Sequence, residues 1–213
     1  PTGRCYMDVD AFAKAVEEGQ MRYPVFVKPS KGSASIGICQ ASSLEEVRFL
    51  CSRQEGMMIQ EYMDGTEYGA DVYVDMLTGC VTSIFVKEKL KMRAGETDKS
   101  VSVKDERLFA FIKNFVESMG FCGMIDIDLF RCGSDLFEQD GKMYISEVNP
   151  RFGGGYPHAY ECGVNMPAQV IRNLEGLPNE VRIGDYEEGI CMMKYNEIMI
   201  RRMSGPDAGQ KQE

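Results

Sequence analysis

The stretch YISEVNPRFGGG, residues 144–155, sets a glutamate, an asparagine and an arginine at alternate positions and then runs into three glycines. Alternate residues of an extended chain point to one face, so Glu147, Asn149 and Arg151 project together beyond a β-like start at Tyr144 and Ile145. Apolar packing alone does not ask for that arrangement. A surface ion pair between Glu147 and Arg151, with Asn149 capping a turn, would satisfy the same pattern, so the reading depends on what lies around it.

Upstream, GMIDIDLFR (residues 123–131) alternates Met124, Asp126 and Asp128 against Ile125, Ile127 and Leu129, as a strand with one acidic face does. A hairpin over residues 139–141 would bring this strand beside residues 143–149. Asp128, expected near one end of its strand, would then meet Glu147 and Asn149. Three oxygen-donor side chains suit Mg²⁺, which takes few protein ligands and completes its shell with water and phosphate oxygens. Arg151 adds a planar cation suited to a phosphoryl group. Such polar groups on a half-buried hairpin are costly without a ligand or partner.

Two further segments carry related signals. In VFVKPSKGSASIG (residues 25–37), Lys28 closes an apolar strand. The loop after it, Lys31, Gly32, Ser33, Ala34 and Ser35, is small enough for backbone N–H groups to approach phosphate oxygens. The spacing is not that of a Walker A loop, and the glycine loop follows the lysine strand, the reverse of the protein-kinase order. In MIQEYMDGTE (residues 58–67), a strand runs into a connector that can offer its backbone to an adenine edge, with Gln60 and Glu61 nearby and Glu67 on ribose hydroxyls. Each segment in isolation is also an ordinary Gly/Ser loop or an edge strand and turn.

The rest of the chain bounds the answer. With 213 residues, 44% of them hydrophobic, it can bury a core as one large domain or two subdomains. A net charge of -9, from 24 basic and 33 acidic residues, argues against nucleic acid or an anionic membrane as partner. Eight scattered cysteines without a C-x-x-C pair fit reduced thiols in the cytoplasm. Apolar periodicity predicts helices over residues 9–18, 106–119 and 165–174, and a capping box at Ser43 predicts a fourth through about residue 54. Strands are expected at residues 24–29, 57–63, 67–76 and 80–87, with a turn at Thr78-Gly79; the polar stretch 91–104 reads as a loop. Frequent hairpins favour an α+β fold with largely antiparallel sheets over a doubly wound one.

Taken in order, YPVFVKPSKGSASIGI, MIQEYMDGTEY and ISEVNPRFGGGYP, with GVNMP after it, resemble the ATP-grasp superfamily. The likeness is greatest to the carbamoyl-phosphate synthase large subunit and its single-unit relatives, and runs from residue 1 to about residue 167. It implies ATP bound between two α+β subdomains of an ATP-grasp unit at residues 1–203, with a lid-like subdomain at about 20–65 and a flexible tail at 204–213. Lys28 would hold the α- and β-phosphates, with the loop of Lys31, Gly32, Ser33, Ala34 and Ser35 closing over them. Gln60, Glu61, Tyr62 and Met63 would form the adenine hinge, and Glu67 would bind ribose. Asp128, Glu147 and Asn149 would hold Mg²⁺, or Mn²⁺ in its place, and Arg151 would stabilise the transferring γ-phosphoryl group. Arg93 and Gly95 match a loop near the acceptor.

The implied reaction phosphorylates a small carboxylate or bicarbonate to an acyl phosphate, which an amine then attacks. No side-chain nucleophile is needed, so the lone His158 is read as local structure. Asp128 is shorter than the Glu or Gln usual at its position. A preceding α/β domain and an upstream basic residue that contacts ATP are expected to be missing from this chain. A nonenzymatic nucleotide-binding module and a different carboxylate–amine ligase remain alternative readings, and a homo-oligomer is compatible with either.

Overall fold

The computed structural model describes residues 4–31, 37–93, 95–133 and 141–201. Alternating burial in two short strands builds the first sheet: Val25 and Val27 of β2 (Val25–Pro29) and Met57 and Ile59 of β4 (Met57–Glu61) all face one core. Adding β1 (Cys5–Tyr6) and β3 (Cys39–Ala41) gives the order β1-β4-β2-β3. Helices α1 (Val9–Glu17) and α2 (Leu44–Ser52) close that core with Phe12, Ala15 and Val47. Both helices are capped as their sequences ask: Asp8 accepts from Ala11 N at 2.7 Å, and Ser43 accepts from Glu46 N at 3.2 Å. Glu46 reaches back to Ser42 N, at 2.6 Å, rather than to the cap residue itself.

The second sheet comprises β5 (Gly65–Val74), β6 (Val81–Arg93), β7 (Glu96–Val103), β8 (Gly123–Cys132), β9 (Lys142–Asn149) and β10 (Cys191–Met193). Their order is β10-β7-β6-β5-β8-β9, and every neighbouring pair is antiparallel. This is the expected α+β fold. Helix α3 (Glu106–Met119) adds a buried stripe of Leu108, Phe109, Ile112 and Val116 to the core of this sheet, while α4 (Tyr156–Glu161) and α5 (Met166–Leu174) pack on the Tyr73, Ser83 and Phe85 side, where His158 meets the Phe85 ring and Asn173 and Gln169 bond Tyr73 and Ser83. Asp105 caps α3 at its start, and Gly120 ends it at φ 68°, where a side chain would be strained.

The stretch expected as a loop at residues 91–104 is mostly strand: β6 runs to Arg93, and β7 begins at Glu96. Its inward residues are polar rather than apolar. Thr97, Asp98, Ser100 and Ser102 are buried. Ser102 Oγ donates to Glu187 O at 2.7 Å and accepts from Ile190 N at 2.9 Å. Internal hydrogen bonds here do what apolar alternation usually does, so the composition resembled a loop. The expected turn at 139–141 lies outside the described residues except for Gly141, although β8 and β9 do pair as a hairpin requires. The short elements β1, β3, α4 and β10 had no periodicity to reveal them.

A polar junction ties the β5–β6 turn to α5. Asp75 Oδ2 accepts from Asn173 Nδ2 (2.8 Å), Asn179 N (2.7 Å) and Asn179 Nδ2 (2.9 Å), while Oδ1 accepts from Leu77 N and Thr78 N. Burial works to raise the Asp75 carboxyl, but these donors together outweigh it and hold it well below the usual carboxylate range. Beyond α5 the chain crosses back over the sheet: Arg182 N donates to Thr82 O, Gly189 N to Ser102 O and Lys194 N to Asp98 O. All eight cysteines are free. Among the described residues, no helix is long and apolar enough to cross a membrane.

Candidate active site

The site is built on strand register. Asp128 stands opposite Glu147 and Asp126 opposite Asn149, while Leu129 pairs with Ile145, so a bulge at Ser146 brings the two acidic rows into line. Directly opposed residues share a face. Asp126, Asp128, Glu147 and Asn149 therefore form one oxygen-rich patch, with Asp128 in the interior of β8 rather than near its end. Asn149 Nδ2 donates to Glu147 Oε1 at 3.0 Å. Arg151, just past β9, lies 3.3 Å from Asp126 Oδ2 and donates to Phe152 O at 3.1 Å.

Across β5 from this patch lie two lysines. Gly69 pairs with Asp128 on one side and Lys87 on the other. A Cβ at Gly69 would stand 3.1 Å from Lys87 Cε and 3.3 Å from Lys89 Cε, so the missing side chain is what lets both lysines lean across. Lys89 Nζ reaches Asp128 Oδ1 at 2.7 Å and Glu67 Oε1 at 2.8 Å. Lys87, also buried, pairs with the fully buried Asp71.

Each of the three glycines stands where a side chain would collide with a charged group. A Cβ on Gly153 would lie 2.5 Å from Asp126 Cγ, one on Gly154 would lie 2.9 Å from Glu96 Cδ, and one on Gly155 would lie 2.9 Å from Lys87 Cε. Each glycine leaves room for a different charged side chain. The run is thus a floor pressed against the ionic face of the sheet.

Burial raises the Asp126 carboxyl to about 6, and the nearby Asp128 and Asp71 charges push the same way against Lys87 and Lys89. Burial likewise raises Asp71 despite its Lys87 partner. For Lys89, burial favours the neutral form, but Asp128 and Glu67 more than offset it and the ammonium is held charged.

Between the sheets lies a cleft of about 1030 Å³. Lys28, Gln60, Glu61 and Met63 line it from the smaller sheet and its connector; Glu67, Asp128, Glu147, Asn149 and Arg151 line it from the larger. A narrower recess of about 400 Å³ adjoins it, walled by Phe26, Tyr62, Met63 and Phe130, and the Phe26 and Tyr62 rings sit 5.3 Å apart. Of the residues singled out from sequence, Lys31 is exposed and outside the cleft lining, and Gly32, Ser33, Ala34 and Ser35 lie outside the described residues. Gly95 lines the cleft, while Arg93 is turned to Asp98 at 3.2 Å and to Asn196. His158 is buried away from it. Its Nε2–H donates to Ile190 O at 3.0 Å, which leaves Nδ1 to accept from Ser100 Oγ at 2.8 Å. Burial holds His158 below its ordinary value.

Sequence reading missed Lys87, Lys89, Asp71 and Glu96. The signal was present in VKEK (residues 86–89), where two lysines alternate on a strand that also carries Ile84 and Val86.

Among the described residues, no group of three or more His, Cys, Asp or Glu side chains is arranged to hold a metal ion. The patch instead offers three carboxylates and an amide, with Asp128 already engaged by Lys89 and Asp126 by Arg151. Such a set fits a hard cation that draws only one or two carboxylates from protein and the rest of its shell from phosphate and water.

A family model described as an ATP-grasp domain matches residues 11–155, ending on the last of the three glycines. The chain belongs to the ATP-grasp family. It is 27% identical over 190 residues to a D-alanine–D-alanine ligase of Streptococcus equi subsp. zooepidemicus, covering 78% of this chain and 52% of that protein. It is 24% identical over 195 residues to the arginine-specific carbamoyl phosphate synthase large chain of Geobacillus stearothermophilus, covering 86% of this chain and 18% of that one. The fold is shared with the biotin carboxylase domain of Hydrogenobacter thermophilus 2-oxoglutarate carboxylase, solved with MgADP and bicarbonate, at a TM-score of 0.67 and 17% identity over 90% of this chain and 45% of that one. This ATP-grasp chain spans about half the length of the D-alanine–D-alanine ligase it matches.

Proposed function

We propose that this chain is the nucleotide-binding and phosphoryl-transferring part of an ATP-dependent carboxylate–amine ligase. The supporting observation is the cleft itself: a lysine strand and a connector face the carboxylates of Asp126, Asp128 and Glu147, the Asn149 amide and Arg151 from the other sheet. Lys28 would pair with the α- and β-phosphates, and the loop of Lys31, Gly32, Ser33, Ala34 and Ser35 would cover them. Backbone groups of the Gln60–Met63 segment would meet the adenine edge, with Phe26, Tyr62 and Phe130 flanking the ring, and Glu67 would meet the ribose. The smaller sheet with α1 and α2, which takes in the lid expected at 20–65 together with β1, would act as the lid of a unit spanning 1–203. Glu147, Asn149 and Asp128 would hold Mg²⁺, which when bound neutralises phosphate charge and fixes the angle of attack.

In the reaction, a carboxylate oxygen attacks the γ-phosphorus as the bond to the β–γ bridging oxygen breaks, giving an acyl phosphate and ADP. An amine then adds to the acyl carbon and phosphate leaves. Arg151 would face charge developing on the equatorial phosphoryl oxygens. The relatives include a D-alanine–D-alanine ligase as well as a carbamoyl phosphate synthase chain, so the proposal is carboxylate–amine ligation and does not single out bicarbonate and ammonia. A charge of -9 and unpaired cysteines support a cytoplasmic setting and small-molecule partners.

The test is thermal unfolding with a nonhydrolysable ATP analogue, in Mg²⁺ or in EDTA, for wild type and Glu147→Ala. At a hundredfold excess over Kd, binding stabilises by about 2.7 kcal/mol. A Mg²⁺-dependent rise in wild type that Glu147→Ala abolishes supports the reading. A rise of equal size in Glu147→Ala, or none in wild type, overturns it.

A further inference from the structure

Lys87 has more hydrogen-bonding capacity than its surroundings use. A lysine ammonium carries three donors, and among the described residues its hydrogen-bond partner is Asp71 Oδ2. Only 1% of Lys87 is exposed, yet it borders the cleft at the glycine floor, with Thr97 beside it. Asp71 Oδ1, sealed from solvent, has no hydrogen-bond partner among the described residues. A buried ammonium with spare donors beside an open floor is a cost that a ligand anion would remove.

Register adds direction. Lys87 shares a row with Glu147, Asp128 and Gly69, so its tip lies on the same sheet face as the oxygen-rich patch, on the side away from the Gln60–Met63 connector. Gly155 keeps that approach open, since its Cβ would stand 3.1 Å from Lys87 Nζ.

We propose that Lys87 is the cation that anchors the carboxylate group of the acceptor, held in place by Asp71 and entered over residues 153–155. This rests on the ligase reading above and assigns an acceptor-binding residue within it. Among the described residues the neighbouring cations are placed for other tasks: Lys89 bridges Glu67 and Asp128, and Arg151 stands at the edge of Asp126, where the ligase reading sets it toward the phosphoryl oxygens.

Removing Lys87 alone would strand the Asp71 charge, so the variant is Lys87→Met combined with Asp71→Leu, which replaces the pair by apolar groups. A second variant, Gly155→Ala, leaves both charges and only displaces the flexible lysine tip. Two carboxylate probes, sodium bicarbonate and D-alanine, are titrated into each protein by calorimetry, with and without Mg²⁺ and a nonhydrolysable ATP analogue, and the analogue's own Kd is measured separately. The expected result is that at least one probe binds wild type and binds both variants at least tenfold more weakly, with the analogue's Kd changed less than twofold. Unchanged probe affinity in either folded variant overturns the assignment, as does a wild type that binds neither probe. A parallel loss of analogue affinity also overturns it, placing Lys87 in the nucleotide site. Probe binding that depends on Lys87 in a wild type that binds no nucleotide leaves the anchor standing and sinks the ligase reading instead.

Discussion

The Lys89 ammonium lies 2.7 Å from an Asp128 carboxylate oxygen, reaching it across the strand position that Gly69 leaves empty. The same ammonium holds Glu67, so one buried cation joins the residue proposed for ribose to a residue proposed for the metal. Lys89→Met is expected to weaken Mg²⁺–nucleotide binding at least tenfold. Lys91→Met, on an exposed part of the same strand, is expected to change it less than twofold. Calorimetric titration of both variants checks this, and equal effects would mean that Lys89 acts only through general charge.

The glycine run makes a graded prediction about stability. Gly153→Ala drives a Cβ to 2.5 Å from Asp126, which is partly buried and held by Arg151, so it is expected to cost about 1–3 kcal/mol, as overpacking does. Gly154→Ala meets the end of the exposed Glu96 side chain, which can swing aside, and is expected to cost under about 1 kcal/mol. Urea unfolding of the two variants, compared at equal slope, tests the order.

Asp75 carries a pH dependence whose sign follows from its depressed carboxyl. A carboxylate ionised more readily in the folded state contributes stability above its unfolded pKa of about 3.9 and loses it as pH falls towards the folded value. Asp75→Asn is therefore expected to be destabilised by about 3 kcal/mol at pH 7, given the five or more donors that converge on a charged acceptor. The gap between variant and wild type should shrink below about pH 4. A gap that stays constant down to pH 3 would show that the hydrogen bonds, and not the charge, carry the effect.

His158 titrates with the opposite chemistry but the same direction. Its folded pKa is lowered, so its neutral form is favoured in the native state and its contribution is present above the unfolded value of about 6.5. Below that pH the unfolded chain takes up the proton first and stability falls. His158→Gln, which cannot gain that charge, is expected to flatten the stability profile between pH 7 and pH 5. Denaturant midpoints across that range decide it, and parallel profiles for the two proteins would remove His158 as the cause.

Elements with a single apolar period are legible in the sequence alone. α3 runs from Glu106 to Met119 as its stripe of Leu108, Ile112 and Val116 requires, and β8 shows its acidic face beside β9. The motif residues Lys28, Glu67, Asp128, Glu147, Asn149 and Arg151 come together in one cleft. What stayed hidden depended on partners distant in sequence. Thr97, Ser100 and Ser102 are satisfied by His158, Glu187 and Ile190 or enclosed by the glycine run, so β7 has the composition of a loop and the burial of a strand. Lys87 and Lys89 look like exposed strand residues until register places Asp71, Glu67 and Asp128 across from them. The role of Gly69 is likewise visible only once three strands are side by side.

The pairing of β10 with β7 also has a consequence in time. Lys99 finds its cross-strand neighbour at Met193, and the Ser102 and His158 hydrogen bonds close on Ile190. A ribosome adding about 5–20 residues per second leaves that outer edge without its final strand for several seconds after β7 has emerged. The nascent sheet thus has an open flank during synthesis, and a segment made well after β7 is the one that seals it against pairing with another chain.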